Sequence, residues 1–194
     1  MIRRRSLLLS LTLVGTLLGV AAMPASAAGV RFGNALKYSN GNVREPDIRQ
    51  CDVTGPNEGD PCTMVSALPL DVARGIRAPK DGRIVKIRLV AAEAGSFRLM
   101  FAQAKPAARE ARIVKRGPMV SFDGTGGIET RTIDVTVKKG WYMAIQASTF
   151  RTLDCFSGSP AQLEFQPPPQ VGGPFAEADH TNGCYLLVEL QYAA

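Results

Sequence analysis

Polar and apolar residues alternate with period two on both sides of Gly140. Upstream, Ile133, Val135 and Val137 alternate with Thr132, Asp134, Thr136 and Lys138. Downstream, Trp141, Met143, Ile145 and Ala147 alternate with Tyr142, Ala144, Gln146 and Ser148. This period predicts two strands, each with one buried and one wet face, around the Lys138-Lys139-Gly140 bend.

The same pattern recurs along most of the chain. Val30 to Ser39 reads as a first strand ended by Asn40-Gly41, and 42–61 as a polar, turn-rich loop. Cys62 to Val72 returns to strand-like sequence, with Pro69 placing it at a sheet edge or a bulge. After the Ala78-Pro79-Lys80-Asp81-Gly82 turn, Val85, Ile87 and Leu89 alternate with Lys86 and Arg88. Phe97, Leu99 and Phe101 then alternate with Arg98, Met100 and Ala102, and the two runs predict an antiparallel pair. Residues 105–116 fit a helix by local composition, whereas the all-β surroundings favour a strand. Pro118 to Phe122 is a further short strand, closed by the glycine-rich turn Asp123-Gly124-Thr125-Gly126-Gly127.

Leu153–Phe156 and Ala161–Phe165 are short apolar runs, and 166–183 is an irregular loop. In the last run, Leu186, Val188 and Leu190 alternate with Tyr185, Leu187, Glu189 and Gln191, predicting a terminal strand that pairs beside an early one. About nine short strands without a long helix predict an antiparallel β-sandwich, jelly-roll-like, with an up-and-down barrel as the alternative.

Arg3, Arg4 and Arg5 precede an apolar run that Pro24 breaks, and Ala25-Ser26-Ala27 has the form of a cleavage site. Residues 1–27 are therefore expected to be a secretory signal peptide, leaving 28–194 as one domain outside the membrane. Arg4-Arg5 also suggests the twin-arginine route, which the strongly apolar run places second. Loss of three arginines from the 23 basic residues leaves 20 against 17 acidic ones, a surplus of +3. That mild surplus calls for no nucleic-acid partner and leaves a slight preference for acidic polymers.

Cys51, Cys62, Cys155 and Cys184 make an even number in an exported chain, which predicts two disulfides. Of the three pairings, Cys51–Cys62 and Cys155–Cys184 are favoured, because each closes one Pro/Gly-rich segment. No C-x-x-C occurs and His180 is the only histidine, so neither a zinc site nor any other cofactor is expected.

Several segments together carry a resemblance: Phe32-Gly33-Asn34-Ala35-Leu36, Cys51 with Cys62-Thr63, Ala78-Pro79-Lys80-Asp81-Gly82-Arg83-Ile84-Val85, and Ile133-Asp134-Val135-Thr136-Val137-Lys138-Lys139-Gly140 before an apolar strand. This set resembles uncharacterised secreted actinobacterial proteins with a single β-sandwich domain. The resemblance implies fold and export, and it supplies no activity or catalytic residues. Gly140-Trp141 stands where many of those proteins have Gly-Asp. A Lys-Lys-Gly bend also recurs in sandwiches that bind carbohydrate or other proteins.

Candidate chemistry is sparse. A hydrolase would require His180 with Asp179 and either Ser157 or Ser159, and no G-x-S-x-G motif accompanies them. Carboxylate pairs drawn from Asp134, Asp154, Glu164 and Glu189 are expected on solvent faces opposite Lys or Arg. Calcium could use Asp123 with Glu129, or Asp52, Glu58 and Asp60, at no recognised spacing. Trp141, Tyr142 and Gln146 are the ligand-binding candidates, since aromatic faces stack on sugar rings. Trp141 shares parity with the core, whereas Tyr142 is expected to be exposed, with Tyr38, Tyr185, Tyr192 and Phe150 as extensions of the platform. The expected role is non-enzymatic binding of an extracellular or cell-envelope polysaccharide. A structural or protein-interaction module of the cell surface is the second reading.

Overall fold

The computed structural model describes residues 29–38, 40–51, 60–67, 76–155 and 162–194. The expected signal peptide lies outside these residues, as do Ser157, Ser159, Asp52 and Glu58. The fold is nearly all β, with antiparallel sheets that include a half-barrel. Fourteen strands occur among the described residues. The pattern marked about nine, and most of the additional ones have only two to four residues.

A four-stranded sheet has the order β1 (Arg31–Gly33), β14 (Val188–Tyr192), β4 (Gly82–Val90), β7 (Ile128–Val137). The terminal strand thus pairs with the first, Phe32 opposite Leu190. A seven-stranded sheet runs β11 (Ala176–Glu177), β6 (Glu110–Phe122), β5 (Gly95–Lys105), β8 (Tyr142–Ala147), β3 (Cys62–Val65), β10 (Gln162–Phe165), β12 (His180–Asn182). A third sheet joins β13 (Cys184–Leu186), β9 (Thr149–Cys155) and β2 (Asp47–Gln50), the last arising inside the segment that reads as a loop.

The inner faces of all three sheets meet in one core. Ile87, Leu89, Val135 and Leu190 come from the first, Phe97, Leu99, Met143 and Ile145 from the second, and Phe150, Leu153 and Leu186 from the third. The expected pairing of β4 with β5 does not form. Each strand belongs to a different sheet, and residues 91–94 turn a corner between them. Two amphipathic runs joined by a short link can bury their apolar sides either as a hairpin or as such a corner, and only their partners decide which. A register shift in β4 between Ile84 and Lys86 also changes its inward set, so that Ile84 is buried in place of Val85 while Ile87 and Leu89 stay inside.

β7 alternates as its pattern predicts, because its outer face meets water. β8 does not. It lies between β5 and β3, and a second core covers its other face, where Tyr142 and Ala144 pack with Val65, Met100, Ala102, Ile113, Leu163 and Phe165. Residues 105–116 are strand, as the tertiary context favours, apart from a single 3-10 turn at Pro106–Ala108.

Both expected disulfides form. Cys51–Cys62 joins the start of β3 to the residue after β2, and Cys155–Cys184 links direct register partners of β9 and β13. Two disulfides suggest an oxidising compartment. Among the described residues, no helix is long and apolar enough to cross a membrane.

Candidate functional site

Beyond β1 the chain builds a cleft over the outer face of the four-stranded sheet. Gly33 ends the strand with φ +114°, where an added Cβ would lie 2.5 Å from the Val188 carbonyl oxygen. Asn34 then fixes the exit, its N–H donating to Val188 O at 3.0 Å and its side-chain amide to Leu186 O at 2.8 Å. Leu36 enters a small apolar cluster with Val90 and Leu187, flanked by Val43 and Ile128. Residues 36–38 and 40–44 pair as the two sides of a short hairpin. Tyr38 N–H donates to Asn42 O at 2.9 Å and Arg44 N–H to Leu36 O at 3.1 Å. The Asn40-Gly41 tip is held by Asn42 N–H on Asn40 Oδ1 at 3.0 Å.

Arg44 anchors this hairpin. It is 7% exposed, ion-paired to Asp154 of β9, and lies 4.8 Å from the Tyr38 ring centroid and 5.3 Å from that of Tyr185. The cleft beneath holds about 290 Å³ and is lined by Arg31, Arg88 and Glu189 from the sheet and by Lys37, Tyr38 and Gly41 from the hairpin, among others. Both guanidinium groups converge on one oxygen: Arg88 Nη1 donates to Glu189 Oε1 at 2.6 Å, and Arg31 Nη1 lies 3.3 Å from it. Glu189 is only 5% exposed, whereas Tyr38 at 39% is the one strongly exposed aromatic residue among those described.

The residues marked by the pattern are placed elsewhere. Trp141 is half-buried and packs on the main core, its ring 6.2 Å from that of Phe101. Tyr142, expected to be exposed, is 7% exposed in the second core with Arg77 over its ring at 5.9 Å. Its opposite parity leads to a second apolar layer instead of to water. Gln146 is half-buried in register with Thr63 and Arg98. The structure therefore puts Tyr142 and Gln146 on one face of the sheet and Trp141 on the side of the other core. Of the platform extensions, Phe150 and Tyr192 are buried and Tyr185 is half-buried.

The carboxylates differ from expectation too. Asp134 is exposed opposite Arg83, as the pattern suggests, but Glu164 and Glu189 are buried, at 1% and 5% exposure. His180 is exposed on β12, and Asp179 accepts the Gln166 N–H at 2.6 Å through its carboxylate. In the turn after β6, Glu129 accepts hydrogen bonds from Asp123, Gly124 and Thr125 N–H, while Arg131 reaches both Asp123 and Glu129. A guanidinium therefore bridges Asp123 and Glu129, the first of the two calcium candidates.

Arg31, Arg88 and Glu189 are visible in the sequence only as polar alternates of three separate strands. Nothing local shows that those strands are neighbours. No protein-family model, no curated protein and no solved structure matches this chain.

Proposed function

We propose that this chain is an exported binding module, without catalysis, that holds an extracellular or cell-envelope polysaccharide in the cleft over the four-stranded sheet. Residues 1–27 would direct export, and the two disulfides suit the destination. The observation that carries the reading is the exposed ring of Tyr38 standing beside Arg31, Lys37 and Arg88 in a cleft of about 290 Å³. An aromatic face with adjacent hydrogen-bond donors suits the C–H face and hydroxyl rim of a sugar. The volume lies near the lower end of the usual ligand range of about 300–1,000 Å³ and suits one or two sugar units of a longer chain. Trp141 and Tyr142 do not line this cleft and belong to the two cores.

The test is retention of the purified protein on insoluble polysaccharides and on bacterial cell walls, with Tyr38→Ala beside the wild type. Retention that is lost in the variant, at an unchanged melting temperature, supports the cleft. Failure to bind any glycan would sink the reading and favour a protein-interaction module.

A further inference from the structure

We propose that the sugar held in this cleft is acidic, a uronate whose carboxylate is taken by Arg31, Lys37 and Arg88. The inference rests on the glycan-binding reading and adds the chemical class of the ligand. Three cationic side chains line the cleft against one carboxylate, that of Glu189. Glu189 occupies only part of what the two guanidiniums offer, since Arg88 donates to it through Nη1 and Arg31 comes no nearer than 3.3 Å to the same oxygen. A guanidinium carries five N–H donors in a planar fork. Arg31 and Arg88 have no other ion-pair partner among the described residues, and their side chains keep 34% and 25% exposure.

Lys37 has no ion pair among the described residues and is exposed on the hairpin. The buried carboxylate fixes the two arginines in place before any ligand arrives, so little side-chain entropy is lost on binding. Forked donors of this kind match a planar carboxylate in two-point contact. A neutral sugar would leave the cationic surplus unanswered, whereas a uronate answers it while its ring faces Tyr38.

The experiment is calorimetric titration with polygalacturonate and with alginate, each beside its carboxyl-reduced form, and with dextran sulfate as a polyanion of different chemistry. The expected result is binding to at least one uronate polymer, weakened about ten-fold or more by carboxyl reduction. The double variant Arg31→Gln with Lys37→Gln should weaken binding to the acidic polymer about ten-fold or more and shrink the difference between the acidic and the reduced polymer. Equal binding to the acidic and reduced polymers would overturn the uronate inference and leave the glycan reading standing. Equal or tighter binding to dextran sulfate would replace it with general polyanion attraction. Binding to none of the five would overturn the uronate inference, and retention on insoluble polysaccharides and cell walls then decides the glycan reading separately.

Discussion

Glu129 and Gly124 are joined across the turn that links β6 to β7: the Gly124 N–H donates to Glu129 Oε1 at 2.8 Å. The Asp123 and Thr125 N–H groups donate to the same carboxylate, and Arg131 pairs with it at 2.6 Å. Burial alone would raise the Glu129 pKa. The three main-chain donors and then Arg131 outweigh burial and hold it below the ordinary value of 4.5. A lowered folded-state pKa contributes stability that is fully present above the unfolded value and is lost as pH falls through the folded one. Wild type should therefore lose stability below about pH 4.5, and Glu129→Gln should show a flatter decline there. At neutral pH the variant should be less stable by about 2 kcal/mol. Urea midpoints across the acid range check both.

The same turn contains a second constraint. Gly124 has φ +71°, and a Cβ there would lie 1.9 Å from the carbonyl carbon of Glu93 in the corner between β4 and β5. No side-chain rotation relieves a clash with main chain. Gly124→Ala should destabilise by about 3 kcal/mol or more, whereas Gly126→Ala, with φ +69° but open space around it, should lose only about 1 kcal/mol. Thermal melts of the two variants side by side test the distinction.

The two disulfides close loops of different length, with sequence separations of 29 for Cys155–Cys184 and 11 for Cys51–Cys62. Each should stabilise by about 2–4 kcal/mol, and chain entropy makes the longer loop worth ~0.8 kcal/mol more. Paired Cys→Ser variants should lose stability in that order in denaturant titrations. An inverted order would show that the entropy of the unfolded chain does not govern how much each bridge stabilises.

The longer strands, the oxidising compartment that two disulfides suggest, and the cysteine pairing were legible because each depends on local pattern or on a small set of alternatives, whereas short strands such as β2, β11 and β12 carry too few residues to show a period. β7, with its strict alternation from Ile133 to Val137, is the clearest case. Partnership was not legible. Nothing near Leu89 or Phe97 states that their strands enter different sheets, and nothing near Tyr142 states that a second apolar layer covers it. The cleft fell between these two kinds of information. Arg31, Arg88 and Glu189 are ordinary outward-facing polar positions until β1, β14 and β4 are laid side by side.

Two ion pairs give opposite expectations despite similar chemistry. Arg83 and Asp134 form a two-point pair at 2.6 and 2.7 Å, which raises the Arg83 pKa and lowers that of Asp134, yet both are exposed. Water screens such a pair, so Asp134→Asn should leave the melting temperature unchanged. Arg44 is buried and Asp154 half-buried, with side-chain exposures of 8% and 13%. Arg44→Met should destabilise by about 3 kcal/mol, because it leaves a carboxylate without its counter-ion away from water. It should also loosen the hairpin carrying Lys37 and Tyr38, which hydrogen exchange at the Tyr38 amide would report.

Tyr142 and Tyr38 separate folding from binding. Tyr142 lies at 7% exposure among Val65, Met100, Ala102 and Phe165, so its removal opens a cavity in the second core. Tyr142→Ala should destabilise by about 3–5 kcal/mol, whereas Tyr142→Phe, which keeps the ring, should remain within about 1 kcal/mol of wild type. Tyr38 is 39% exposed and has Arg44 over its ring at 4.8 Å, so Tyr38→Ala should shift stability by no more than about 1 kcal/mol. Glycan retention should follow the reverse order: abolished in Tyr38→Ala, and kept in Tyr142→Phe and in whatever fraction of Tyr142→Ala remains folded. Retention measured against folded fraction by circular dichroism discriminates the cases. Loss of binding in Tyr142→Phe at full stability would move the binding face to the second core.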